Sequence, residues 1–156
     1  MDYYTTGNAF VSTVFSLLEA MKMSKSPNRL LATVFGAVYL LVGLLGFTAT
    51  SGVGFFSTDG GLLLGIFEVN IFHNVAHLLI GAALLIAGLS SVSAAKATNS
   101  TIGAAYLLLG IVGLFLVGSS ANILAINAAD NVLHFASAAV LLAVGLGADK
   151  RAARTA

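Results

Sequence analysis

Two stretches of this chain carry the same polar pattern inside otherwise apolar sequence, N-x-x-H/D-N-x-x-H. The first comprises Asn70, His73, Asn74 and His77, and the second Asn127, Asp130, Asn131 and His134. Spacings of three, four and seven place each quartet within about a 100° arc of a helix. Four chemistries suit such a set. His73 and His77, one turn apart, can share a metal, and Asp130 and His134 repeat that spacing; two such pairs across a bundle axis would suit Zn, Cu or Ni. His77 and His134 on facing helices could hold a b-type haem, although nothing supplies propionate-binding arginine beside them. Histidine also titrates near neutral pH, so the cluster could hand on a proton or small solute, with Glu68 and Asp130 at the mouth. The fourth role is structural. Asn and His side chains bond across helices and lock them, at about 0.6 kcal/mol per bond as averaged in one membrane protein. HxxxH spacing often arises by chance, and the expectation adopted is the structural one, with no cofactor. The metal, proton or small-solute role is kept as the alternative, on His73, His77, Asp130 and His134.

The elements that hold these residues must be membrane spans. Of 156 residues, 58% are hydrophobic and 8% charged, where a soluble domain carries about a quarter charged; mean hydropathy is +1.00. A spanning helix needs about 20 mostly apolar residues, and four stretches qualify, about 30–50, 70–89, 101–121 and 127–147. Lys22, Lys25 and Arg29 precede the first, Lys96 separates the second from the third, and Lys150, Arg151 and Arg154 follow the fourth. An even number of spans puts all of these on one side, so the positive-inside rule makes both termini cytoplasmic. The lipid bilayer is thus the first partner. A net charge of +1 gives no case for nucleic-acid binding, and the absence of Cys removes thiolate sites, disulfides and covalent haem. No serine-nucleophile motif, P-loop or dinucleotide fingerprint is present, so no enzyme activity is expected. Residues 1–25 read as an extension. Phe10, Val14, Leu17, Leu18 and Met21 give it the spacing of an interfacial helix. No secretory signal is visible at its start, and the first span is long enough to stay as an uncleaved anchor. The membrane domain then covers 26–148, and 149–156 is a basic cytoplasmic tail.

The spans repeat pairwise. Gly36, Tyr39, Gly43 and Gly46 match Gly103, Tyr106, Gly110 and Gly113 at an offset of 67, and Asn70 to Gly88 matches Asn127 to Gly145 at an offset of 57. The ten-residue difference falls in the loop from Ser51 to Val69, which shows no helical pattern. The expected fold is therefore all-α, a transmembrane four-helix bundle of two repeated helical hairpins related by a parallel pseudo-two-fold axis. The glycines fall on one side of their helices, where small residues let backbones approach. Both polar faces should then turn inward, since polar groups facing lipid are expensive. His77 and His134 would lie about 10 Å below the outer helix ends. The inner half, closed by Gly, Ala and Leu, argues against an open channel. Tyr39 and Tyr106 sit mid-span on the glycine-bearing sides, and a buried hydroxyl needs a partner. The expected bonds are Tyr39 to His77 and Tyr106 to His134. The polar cluster thus comprises Glu68, Asn70, Asn74, Asn127, Asn131, Tyr39 and Tyr106 beside the four possible ligands.

The segments SPNRLLATVFGAVYLLVGLLGF, EVNIFHNVAHLLIGAALL and DNVLHFASAAVLL resemble the bacterial membrane family catalogued as domain of unknown function 4383. The likeness covers about Ser26 to Leu146. It implies a four-span protein of the bacterial cytoplasmic membrane, and it brings no activity, cofactor or site residues. Residue type and resemblance together suggest a structural or regulatory membrane module that associates with itself or with another membrane protein.

Overall fold

The computed structural model describes residues 26–150; the extension 1–25, with its expected interfacial helix, and residues 151–156 of the tail lie outside the described residues. Four helices and one strand pair follow in order: α1 (Pro27–Gly46), β1 (Gly61–Leu63), β2 (Phe67–Val69), α2 (Ile71–Ser90), α3 (Val92–Leu116) and α4 (Ala128–Gly147). All four helices are long and apolar enough to cross a membrane, with mean hydropathy between 1.6 and 1.9. Local sequence sets their starts. Ser26 accepts a hydrogen bond from the Arg29 amide, with Pro27 in the first turn of α1, where its missing N–H is not needed. Asn70 caps α2 through the His73 amide. Asn127 caps α4 in a reciprocal capping box with Asp130.

α1 packs along α2, and α3 along α4, with α3 also touching α1 and α2 to close the bundle. Glycines set the closeness. Gly36 lies against the backbone of Gly81 and Leu85, and Gly88 against Thr33 and Arg29. In the second hairpin Gly103 meets Leu141 and Leu142, and Gly145 meets Ser100. Along the shared axis Ala32, Tyr39, Leu84, Ala95, Tyr106, Ala138 and Leu141 form the buried core. The outer faces are apolar and open, Phe115 being 78% and Leu108 63% exposed. Together, length, hydropathy and an apolar exterior make this a multi-pass membrane protein.

Three features depart from expectation. The third helix begins at Val92, nine residues before the expected Thr101, and ends at Leu116 rather than near Ala121. Ser91 caps it through the Ala94 amide, and the following alanines are strong helix formers, so a segment that its Ser, Thr and Lys made loop-like continues the helix. Gly118, at φ 76°, lies just beyond its end. α1 likewise stops at Gly46, and Phe47 to Thr50 turn away through tighter bonds to carbonyls three residues back. The loop from Ser51 to Val69 contains the antiparallel pair β1–β2, with Gly61 opposite Val69 and Leu63 opposite Phe67. Its turn puts Leu64 at φ 54° and Gly65 at φ 71°, the two left-handed residues of a tight hairpin.

Candidate functional site

Near the loop end of the bundle, five aromatic side chains from all four helices form a closed ring of contacts. Ring centroids of His73 and His77, one turn apart on α2, are 4.7 Å apart. His77 lies 5.3 Å from Tyr39 of α1. Tyr39 stacks at 5.7 Å on Tyr106 of α3, and Tyr106 at 5.3 Å on His134 of α4. His134 closes the circle at 6.4 Å from His73. These are the chain's three histidines. His73 is 3% and His134 5% exposed.

Asp130 stands one turn before His134. Its Oδ2 accepts the amides of Asn127 at 2.9 Å and of Glu68 at 3.0 Å. His73 Nδ1 lies 3.0 Å from the Leu124 carbonyl, and His77 Nδ1 lies 3.2 Å from the His73 carbonyl. His134 Nδ1 is buried with no hydrogen-bond partner among the described residues. A cavity of about 50 Å³ lies between the rings, Asp130, Leu133 and Ser137. Another, of about 60 Å³, shares His73, His77, Tyr106 and His134. Each has room for one or two waters.

The expected Tyr–His hydrogen bonds are replaced by ring contacts. The Tyr39 hydroxyl instead donates to Ser137 Oγ at 2.9 Å, because the tyrosine pair stacks across the axis and carries that hydroxyl to α4. The asparagines divide into two kinds, which spacing alone does not distinguish. Asn70 and Asn127 are caps that also bind the loops. Asn70 Nδ2 donates to the carbonyls of Ser57 at 2.8 Å and Ile123 at 2.7 Å, and Asn127 Nδ2 to that of Ile66 at 2.8 Å. Asn74 and Asn131 are latches between paired helices. Asn74 Oδ1 fills the space over Gly46, and Asn131 Oδ1 that over Gly113, while Asn131 Nδ2 donates to the Gly110 carbonyl at 3.1 Å. Glu68 sits on β2 at the rim, its Oε1 accepting the Gly60 amide at 2.7 Å.

Among the described residues no three His, Cys, Asp or Glu side chains form a group able to hold a metal ion. His77 and His134 line the same small cavities, beside Tyr39 and Tyr106 in one and Tyr106 in the other. Cavities this small contrast with the roughly 300–1,000 Å³ of ordinary ligand pockets.

A second polar cluster, which no motif in the sequence marks, lies at the end of the bundle where α1 begins and α4 ends. Asp149 Oδ2 accepts Ser26 Oγ at 2.7 Å, the Asn28 amide at 3.1 Å and Asn28 Nδ2 at 2.9 Å. Asn99 Nδ2 in turn donates to the Asn28 carbonyl at 3.0 Å. Positions so far apart in the chain share no spacing, so no pattern announces them. Burial pushes the Asp149 carboxyl up, but the bonds from Ser26 and Asn28 and the charge of Lys96 outweigh this and hold it below the usual carboxylate range. A group depressed on folding lends stability above its unfolded pKa, about 3.9, and loses it as pH falls through the folded value. The Asn28 amide resonance should therefore hold steady down to about pH 4 and move only below it. In Asp149→Asn that acid transition should vanish; its persistence would remove Asp149 from the clasp.

No curated protein and no solved structure matches this chain. A family model described as Domain of unknown function (DUF4383) matches residues 29–147, taking in all four helices and the aromatic ring but not the extension, and the chain belongs to that family.

Proposed function

We propose that this protein is a structural or regulatory membrane module, without enzymatic activity or cofactor, whose aromatic ring and Asn–Gly latches keep four spans in one arrangement. The observation that carries this reading is the closed ring itself. All four helices contribute to it, and the spaces beside it are water-sized. The repeated contacts of the two hairpins favour an internal duplication about a parallel pseudo-two-fold axis. Gly46 with Asn74 and Gly113 with Asn131 are equivalent under it, as are Gly88 with Thr33 and Gly145 with Ser100. The setting proposed is the bacterial cytoplasmic membrane with both termini cytoplasmic, because every Lys and Arg falls before α1 or in its first turn, after α4 or at Lys96. The partner is a second copy or another membrane protein.

The experiment is metal analysis with a visible spectrum on protein purified from the membrane, followed by His77→Gln/His134→Gln. The expected protein is colourless and free of stoichiometric Zn, Cu or Ni. The double variant should lose about 1–2 kcal/mol of stability, the worth of a few ring contacts and interhelical bonds, and keep its helix content and oligomeric state. Stoichiometric metal or a haem band would replace the structural reading with the cofactor one.

A further inference from the structure

The cavity beside the aromatic ring brings three imidazoles to one carboxylate. A neutral imidazole carries one N–H and one lone pair. His73 and His77 each face a carbonyl with Nδ1. That geometry assigns the N–H to Nδ1 and leaves the Nε2 lone pairs. His134 Nδ1, in a side chain 95% buried on the 5% exposure above, has no partner among the described residues. Of the hydroxyls on the cavity wall, that of Tyr39 is given to Ser137. Asp130, on the same cavity wall, adds a carboxylate held by two amides. Arg29, Lys96 and Lys150, the described cations, lie at the opposite end of the bundle.

We propose that this cavity is a binding site for one proton, held among Asp130 and the imidazoles that line it. The proton enters from the aqueous loop side and takes the enclosed groups from a charge of −1 to zero. It removes a buried charge that has no partner cation, which is costly in a low-dielectric interior. A second proton would leave an imidazolium in that interior with no counter-ion, so occupancy stops at one. The titratable groups around it are Tyr39 on α1, His73 and His77 on α2, Tyr106 on α3, His134 on α4 and Glu68 on β2. Its failure would leave the structural reading standing, because ring contacts and latches need no proton.

The test uses the full chain in lipid nanodiscs with ¹⁵N-labelled histidine, whose signals come from these three rings alone. Between pH 8 and pH 5 the three imidazoles should change together, in one step of single-proton amplitude. In Asp130→Asn the midpoint should fall by about one pH unit or more, or the step should disappear. His134→Gln, which leaves the α4 cap intact, should uncouple the remaining pair, and it decides the matter if the first variant does not fold. Three independent steps, no proton uptake in this range, or a step unchanged in both variants would overturn the proposal. Exchanging potassium for ammonium chloride at fixed pH should leave the signals in place; a saturable shift would make ammonium the ligand and also overturn it.

Discussion

Gly36→Leu is expected to abolish the folded bundle, with the transition in mixed-micelle unfolding lost or moved to a small fraction of its usual denaturant concentration. A Cβ at Gly36 would lie 2.5 Å from the Leu85 nitrogen and 2.9 Å from the Gly81 carbonyl oxygen. Both are backbone atoms and cannot swing aside as a side-chain tip can. The helices must separate, and separation also pulls Tyr39, one turn away, from its ring partners. Overpacking alone costs about 1–3 kcal/mol, and a forced helix shift adds the loss of contacts down the whole hairpin. Gly147→Leu is the control, because nothing lies within 4 Å of the position its Cβ would take. That substitution should be neutral or slightly stabilising, since leucine is the better helix former. Equal unfolding midpoints for the two variants would show that α1 and α2 are not held at backbone contact.

The second large effect is expected from Asn70→Ala. Asn70 is fully buried, and one side chain does three things. Its oxygen accepts the His73 amide, and its nitrogen donates to carbonyls in both loops. Loss of an N-cap costs about 1 kcal/mol, and each part-buried carbonyl left without its donor about 1–2 kcal/mol more. The sum, about 3–5 kcal/mol, is a large part of a small protein's stability. Asn127→Ala should lose clearly less, because its bond to the Ile66 carbonyl is exposed and water can replace it. Protease cleavage within the 51–69 loop, measured beside unfolding, separates the two variants. Faster cleavage in Asn70→Ala alone is the expected pattern, and equal cleavage in both would deny Asn70 its role in anchoring the loops.

What the sequence could convey followed from periodicity. Four long apolar runs gave the helices, and the matched spacings around Tyr39, His77, Tyr106 and His134 brought those residues to one level of the bundle. Periodicity says which side of a helix a residue occupies, not which atom it bonds, so it misses that the Tyr39 hydroxyl bonds Ser137. It also treats every asparagine of a heptad alike, although Asn70 sits at a helix start and Asn74 one turn inside. Short-range composition misled at Ser91 to Ser100, where polar residues lie within α3. Three-residue strands such as β1 and β2 are too short to show alternation. The Ser26–Asn28–Asn99–Asp149 clasp joins residues more than 70 and 120 positions apart, and pairing of that kind arises only once the chain has folded.

Ser91 alone separates α2 from α3, serving as the final cap of one and the first of the other. A joint of one residue fixes the gearing between the two helices. Adding or deleting an amino acid there would rotate everything downstream by about 100°, turning Gly103, Tyr106 and Gly110 toward lipid. The two remaining connections carry no such constraint, because each is a longer loop. Natural variation in chain length, fusion points and inserted reporters should therefore be accepted between α1 and α2 or between α3 and α4, and refused at this corner.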